Sequence, residues 1–177
     1  MKTLYLGALA ALAAQPAAAD VKSATPQGFE VAQSVMVHVP VKEAFAALAQ
    51  PERWWNAEHT FSGSAANLSL TLKPGGCFCE KLKDGGWAKH LDVTMIQPGS
   101  LIELHGGLGP LRFEGVAGTL QWSVRPAERG TVITQSYVVG GYMRQGGEHW
   151  APIVDQVLQE NLTRLKSLLD TSNPAPK

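Results

Sequence analysis

The longest regular pattern of apolar residues lies near the end of the chain, over residues 149–169. Apolar positions recur there at intervals of three and four, as they do along one face of an α-helix. Those positions are Trp150, Ile153, Val154, Val157, Leu158, Leu162, Leu165, Leu168 and Leu169. Pro152 suits the first turn, where its missing N–H costs nothing. The pattern predicts one long amphipathic helix that needs a partner surface for its apolar face.

The chain before this helix alternates between apolar and polar residues, which is typical of half-buried strands. Strands are expected at 31–39, 68–72, 77–82, 87–96, 101–105, 114–125 and 131–139, joined mostly by tight turns rich in glycine and proline. Residues 41–50 and 51–56 predict two short helices after the first strand. Tight turns favour antiparallel pairing, and strands grouped apart from helices favour an α+β fold. We expect a curved antiparallel sheet of about six to seven strands wrapped on the C-terminal helix.

The first residues differ from the rest of the chain. A positively charged start precedes an apolar run at residues 4–14, which is too short to span a membrane, and Ala17-Ala18-Ala19 has the pattern of a cleavage site. These features predict a secretory signal peptide over 1–19, cleaved after Ala19, and a periplasmic or secreted protein. An uncleaved anchor or a buried N-terminal helix is the alternative.

The remaining residues divide into three parts. Residues 20–29 are polar, with Pro26 and Gly28, and predict a flexible lead-in. Residues 30–170 suit a single domain in length, and residues 171–177 are expected to be a disordered tail. After the first segment no apolar run approaches membrane-spanning length, so we expect no stable membrane insertion.

Charge narrows the classes of partner. The chain has 15 basic and 15 acidic residues, and removal of the segment that contains Lys2 leaves one more acidic than basic residue. A nearly neutral chain without a basic cluster argues against nucleic acid as a partner.

The two cysteines, Cys77 and Cys79, are separated by one residue. Export would favour a disulfide, but residues i and i+2 of an extended strand lie near the upper limit of Cα separation for that bond. We therefore favour free or partly buried thiols, with a redox-active bridge or a metal or intermolecular link as alternatives. A metal site is poorly supported because no second cysteine or histidine pair has matching spacing.

Four segments carry a resemblance to a known superfamily. They are residues 39–48, Trp54-Trp55, residues 74–80 (Pro-Gly-Gly-Cys-Phe-Cys-Glu) and residues 97–104 (Gln-Pro-Gly-Ser-Leu-Ile-Glu-Leu). Their order and spacing over 30–170 resemble the START-like, or SRPBCC, superfamily, closest to the branch of the heat-shock ATPase activator domain and the polyketide cyclases. The resemblance implies the helix-grip fold, with a hydrophobic cavity between sheet and C-terminal helix. Its members include carriers and enzymes, so the fold does not fix the function.

Candidate ligand-binding residues follow from the aromatic side chains and from strand parity. They are Trp54, Trp55, Phe78, Glu80, Trp87, His105, Trp122, Tyr137, Trp150 and Val154. Large aromatics with a polar atom suit a pocket for a flat or greasy ligand, although a place in the core is an alternative for each tryptophan.

Glu80 is the best candidate for a catalytic group. It shares a strand face with Phe78, and burial in a cavity would raise its pKa and suit it to acid or base chemistry. The opposite parity would turn Cys77 and Cys79 inward and leave Glu80 in solvent. His105 has the chemistry to exchange a proton near neutral pH, whereas His90 is expected to face solvent.

Two functions are favoured at this stage, and a third, an interaction module resembling the ATPase activator, is disfavoured by the predicted export. The first is binding of a small hydrophobic or aromatic ligand in the periplasm, without a cofactor or a metal. The second is a cyclase- or dehydratase-like enzyme that uses Glu80, with Tyr137 or His105 assisting. The sequence contains no nucleophile-elbow, phosphate-binding or zinc-protease motif. It fixes neither the ligand nor the oligomeric state.

Overall fold

The structure is a computed structural model that describes residues 21–174. The signal peptide predicted over 1–19 and residues 175–177 of the predicted tail lie outside the described residues.

Eight antiparallel strands form one curved, unclosed sheet with the order β1-β2-β8-β7-β6-β5-β4-β3. The strands are β1 (Val21–Thr25), β2 (Gly28–Val37), β3 (Leu68–Leu70), β4 (Cys77–Lys81), β5 (Trp87–Gln97), β6 (Leu101–Gly106), β7 (Gly115–Ala127) and β8 (Gly130–Tyr142). The alternation of apolar and polar residues that predicted the strands corresponds to an alternation of buried and less buried side chains. In β7, for example, Leu120, Trp122 and Val124 are buried between less buried neighbours.

Two α-helices accompany the sheet, α1 (Val41–Leu48) and α2 (Gly147–Thr171). Five short 3-10 turns lie at Pro51–Arg53, Ala57–His59, Ala65–Asn67, Lys83–Gly85 and Gly109–Phe113. The apolar face of α2 packs on β2, with Leu158, Leu162 and Leu165 buried. The helix begins at Gly147, whose backbone nitrogen lies 3.4 Å from the carbonyl oxygen of Pro26, in the turn between β1 and β2. The α+β helix-grip fold is therefore confirmed, with one strand more than the six to seven expected.

The additional strand is β1, in the range 20–29 that we expected to be a flexible lead-in. It pairs with β2, and its Val21 and Ala24 pack against the core. Its other side chains are exposed and polar. The segment therefore has the composition of a loop although its backbone is paired.

Two β-bulges interrupt β5. Phe78 pairs with Leu91 while Cys79 pairs with Lys89, so His90 is an extra residue in the strand. A second shift leaves Thr94 unmatched. The bulge turns the consecutive residues His90 and Leu91 to the same side, and both are buried. The expectation that His90 faces solvent is therefore wrong, because regular alternation does not hold across a bulge.

Cys77 and Cys79 form a disulfide, contrary to the free thiols that we favoured. Their Cα atoms lie 5.5 Å apart, whereas residues i and i+2 of a fully extended strand are roughly 6.6–6.8 Å apart. The backbone is therefore less extended between the two cysteines, and their separation falls within the range of disulfides. The two cysteines are half-buried, while Phe78 and Glu80 on the opposite face are buried. Of the two strand parities considered for β4, the one that turns Phe78 and Glu80 inward is therefore the one observed.

Candidate ligand-binding cavity

A cavity of about 360 Å³ lies between the first half of α2, the segment 55–61, strands β3 to β5 and the turn Gly109–Phe113. This volume is at the low end of small-molecule sites, which span roughly 300–1,000 Å³. Most of the lining is apolar: Trp55, Phe61, Leu68, Phe78, Leu108, Leu111, Trp150, Ile153, Val154, Val157 and Leu158. The polar side chains on the lining are Glu58, His59, Thr60 and His90.

The polar side of α2 holds the segment that carries Trp55. The carbonyl oxygen of Trp54 accepts a hydrogen bond from Arg164 at 3.0 Å. The backbone nitrogen of Asn56 donates to Oδ1 of Asn161 at 2.7 Å. His59 Nε2 lies 2.9 Å from Glu160 Oε2. Helix α2 therefore forms an apolar wall of the cavity and also anchors the segment 55–61, which forms another wall.

Glu80 is buried, at 1% exposure, but does not line the cavity. Its carboxylate accepts hydrogen bonds from the backbone nitrogens of Phe61 at 3.1 Å and Ser62 at 2.5 Å, and it lies 3.0 Å from His90 Nε2. Burial raises the pKa of Glu80, but the hydrogen bonds from Ser62, Phe61 and His90 together outweigh it and lower the pKa below its usual value. The raised pKa that burial led us to expect is therefore wrong. Glu80 is an ionised carboxylate that fixes a loop and a histidine.

His90 borders the cavity, and its ring contacts the rings of two phenylalanines. The ring of Phe61 stacks on it at 5.4 Å between centroids, and the ring of Phe78 is tilted at 5.3 Å. Burial lowers the pKa of His90, and the nearby charge of Arg112 lowers it further, against the opposing influence of Glu80. The imidazole is therefore neutral. Because the Glu80 carboxylate can only accept, the ring proton resides on Nε2 and the free lone pair on Nδ1.

Two buried polar atoms of the lining residues have no hydrogen-bond partner among residues 21–174. They are Nδ1 of His90 and Nε1 of Trp150. The residues around the cavity therefore carry one unused acceptor and one unused donor, and both atoms are covered by neighbouring protein atoms.

Four of the predicted ligand-binding residues, Trp55, Phe78, Trp150 and Val154, line the cavity together. Trp54 and Trp122 are instead buried in the core, which was the alternative for the tryptophans. Trp54 Nε1 donates to the carbonyl oxygen of Ala47 at 3.0 Å, and Trp122 Nε1 donates to Gln135 at 2.7 Å. Both indole N–H groups are therefore already paired.

Tyr137 contributes to the cavity indirectly. Its hydroxyl donates to the carbonyl oxygen of Gly106 at 2.7 Å and accepts from the backbone nitrogen of Leu108 at 3.0 Å. Burial raises the pKa of Tyr137 to about 12. The tyrosine holds in place the loop that brings Leu108 and Leu111 to the cavity.

Trp87 and His105 lie away from the cavity. Trp87 is 67% exposed at the start of β5. His105 is exposed on β6, with its Nδ1 3.4 Å from the hydroxyl of Thr119. Glu80, Tyr137 and His105 therefore do not converge on one cavity surface.

Sequence reasoning missed the residues that reach the cavity from irregular segments, namely 58–61, 108–111 and the bulge residue His90. The first two ranges have no periodic pattern. The sequence signal that was available is the pair of leucines, Leu108 and Leu111, inside a glycine-rich loop.

Residues 21–174 contain no group of three or more histidine, cysteine, aspartate or glutamate side chains placed to hold a metal ion. Within the same range, neither α-helix combines the length and apolar character needed to cross a bilayer.

Solved structures with the same fold include an uncharacterized protein from Rhizobium leguminosarum, at 21% identity and a TM-score of 0.61, with 81% of this chain and 95% of that chain covered. DynU16, a protein in the dynemicin biosynthetic locus, has 21% identity and a TM-score of 0.56, with coverage of 82% and 48%. The Aha1 dimer from Colwellia psychrerythraea has 12% identity and a TM-score of 0.55, with coverage of 80% and 96%.

These likenesses show the fold, and the family match given next confirms the resemblance to the START-like, or SRPBCC, superfamily. No curated protein sequence matches the chain significantly. A family model described as polyketide cyclase/dehydrase and lipid transport matches residues 28–170. The chain therefore belongs to the polyketide cyclase/dehydrase and lipid transport family.

Proposed function

We propose that this protein binds a small hydrophobic or aromatic molecule in the cavity beside α2 and releases it unchanged. The observation that carries the proposal is the cavity of about 360 Å³ with its mainly apolar lining. Transfer of apolar ligand surface from water into such a cavity is favourable by roughly 25 cal/mol per Å². Pockets with this combination of apolar walls and few polar groups are typical of small-molecule sites.

The aromatic side chains favour a flat ligand. Trp55 and Phe78 are in edge contact, with ring centroids 5.3 Å apart, and both line the cavity. Phe61 and Trp150 line it as well. Aromatic walls favour ring systems, because stacked and edge-to-face contacts add to the gain from burial alone.

We place this activity in the periplasm or outside the cell. The pattern of residues 1–19 is the basis of this location, and the Cys77–Cys79 disulfide supports it because such bonds are rare in a reducing cytoplasm. Expression of the full chain in a bacterial host, followed by fractionation and N-terminal mass analysis, tests the location. Mature protein that begins at Asp20 in the periplasmic fraction is expected, and an unprocessed chain in the cytoplasm would contradict it.

A cyclase- or dehydratase-like activity is the second candidate. The observation in its favour is the neutral imidazole of His90, which borders the cavity and is oriented by the Glu80 carboxylate at 3.0 Å. A histidine held in one tautomer by a carboxylate is suited to act as a general base. In this version His90 accepts the substrate proton and Glu80 is a positioning residue, not the acid or base.

Native mass spectrometry of protein purified from its own host, with a thermal-shift panel of aromatic compounds and lipids, tests the binding proposal. A ligand at a hundred times its dissociation constant stabilises the folded state by about 2.7 kcal/mol, which raises the melting temperature of a domain of this size by roughly 5–10 °C. Val154→Trp fills the cavity and serves as the blocked control. No bound mass and no stabilisation by any compound would overturn the proposal, and recovery of chemically altered ligand would favour the enzyme.

A further inference from the structure

Two residues that line the cavity each have a polar atom without a hydrogen-bond partner among residues 21–174. His90 is 5% exposed and Trp150 half-buried, and Nδ1 of the first and Nε1 of the second have no partner among the described residues. Buried polar groups in folded proteins are nearly always hydrogen-bonded, so an unpaired pair beside one cavity needs an explanation. A ligand that occupies the cavity and forms both missing hydrogen bonds provides such an explanation.

The chemistry of each atom is fixed by its surroundings. The Nε2 hydrogen of His90 is directed to the Glu80 carboxylate, at 3.0 Å. Nδ1 is therefore an acceptor and needs a partner that donates. The indole Nε1–H of Trp150 can only donate and needs a partner that accepts.

The rings around His90 do not supply the missing donor. The rings of Phe61 and Phe78 both contact the imidazole, and neither side chain has a polar atom. Nδ1 is shielded from solvent, while Phe61, which stacks on the ring, is 41% exposed. A ligand that reaches Nδ1 has to displace a covering side chain, and Phe61 is the exposed one of the two rings that contact the imidazole.

We propose that the cavity takes neutral hydroxylated aromatic or alicyclic compounds, whose hydroxyl group donates to His90 Nδ1 and which present an oxygen to Trp150 Nε1–H. This inference rests on the proposed binding function and adds the ligand class to it. Glu80 and Arg112 place charges of opposite sign near this imidazole, so the site has no net charge that would favour an ionic ligand. Pure hydrocarbons leave both polar atoms unpaired.

Two probes test the proposal: 2-naphthol and 2-methoxynaphthalene. Both have the same ring system and an oxygen that accepts, but only 2-naphthol donates. Isothermal titration calorimetry of the whole protein is expected to show 2-naphthol binding roughly five- to tenfold more tightly, as one net hydrogen bond implies.

Two variants assign that preference to its atoms. His90→Phe keeps a ring in contact with Phe61 and Phe78 but removes the acceptor, so it is expected to abolish the preference. Trp150→Phe removes the donor, so it is expected to weaken both probes by a similar factor and to leave their ratio unchanged. Because each comparison is a ratio between two probes in one protein, a general change in cavity shape cancels.

A second measurement does not depend on how well a variant folds. In wild-type protein, the nitrogen NMR signal of His90 Nδ1 is expected to move toward its hydrogen-bonded value with 2-naphthol and to stay in place with 2-methoxynaphthalene. Equal affinities for the two probes, or a preference that survives His90→Phe, would overturn the hydroxyl inference while the binding function stands. Failure of both probes and of the wider panel to bind would overturn the binding function and this inference with it.

Discussion

Nε2 of His90 lies 3.0 Å from Oε2 of Glu80, and the two side chains come from adjacent strands, β5 and β4. The contact exists because the bulge at His90 turns this side chain to the buried side of the sheet. The same carboxylate accepts from the backbone nitrogens of Phe61 and Ser62. One buried charge therefore joins the sheet, the histidine and the segment that forms one wall of the cavity.

Replacement of Glu80 by glutamine keeps the side-chain shape but removes the charge. We expect Glu80→Gln to lower the free energy of unfolding by roughly 1–3 kcal/mol, because the buried donors that face the carboxylate lose a charged acceptor. Urea denaturation measures the change. Glu52→Gln is the matched control, since Glu52 is exposed, and its effect is expected to stay within about 0.5 kcal/mol. Equal losses in the two variants would contradict the role given to Glu80.

Stability is expected to fall as the pH is lowered from neutrality. The native pKa of His90 lies below its unfolded value near 6.5, and that of Glu80 below its unfolded value near 4.5. Below each unfolded value the unfolded chain binds more protons than the native chain. The contribution of His90 is therefore complete above pH 6.5 and is lost as the pH falls toward its native pKa; that of Glu80 is lost in the same way below pH 4.5.

Urea midpoints measured at a series of pH values test this dependence. His90→Phe is expected to remove the decline that begins near pH 6.5 and to leave the decline at lower pH. His105→Gln serves as the control, because that side chain is exposed on β6. An unchanged pH profile in His90→Phe would show that another group is responsible.

Two positions on α2 are expected to separate binding from stability. Leu165 is 0% exposed and lies outside the cavity lining, so Leu165→Ala should cost roughly 2–5 kcal/mol of stability and leave the affinity for 2-naphthol nearly unchanged. Trp150 lines the cavity and is half-buried, so Trp150→Ala should weaken binding more than tenfold at a smaller cost in stability. Urea denaturation and calorimetry on both variants measure the two quantities, and the reverse result would place Trp150 in the core.

The disulfide gives a chemical prediction. Unfolded, unreduced protein is expected to resist alkylation by iodoacetamide, whereas reduced protein should gain two alkyl groups, one each at Cys77 and Cys79. A cross-link over so short a loop should contribute roughly 1–2 kcal/mol of stability. The double variant Cys77→Ser/Cys79→Ser and the reduced wild type should therefore show the same loss, and alkylation without reduction would contradict the bond.

The main elements of the fold were predictable because their patterns are long. The apolar face of α2 and the alternation in β7 each extend over several turns or residue pairs, and the structure buries Leu158, Leu162, Trp122 and Val124 as expected. β1 was missed because it presents only two apolar residues to the core, too few to form a pattern.

The candidate site was predictable where regular elements form it and at Trp55, which lies outside them and was named for its aromatic side chain. Phe78 follows from strand parity, and Trp150 and Val154 follow from helical spacing. His90 required knowledge of a bulge, which is a property of two paired strands and not of one segment. Leu108 reaches the cavity because the Tyr137 hydroxyl, 29 residues further along, binds its backbone. No local pattern encodes such a contact.

The start of α2 also decides how the site could be redesigned. A Cβ atom at Gly147 would lie 2.4 Å from the carbonyl oxygens of both Thr25 and Gly28, so the helix begins in direct backbone contact with the β1–β2 hairpin. Its first turn cannot shift toward the hairpin when a cavity side chain changes. A smaller residue at position 150 or a larger one at position 154 should therefore alter the space for a ligand directly, without moving the helix. The close backbone contact at Gly147 is therefore expected to make ligand size depend on the side chains at positions 150 and 154.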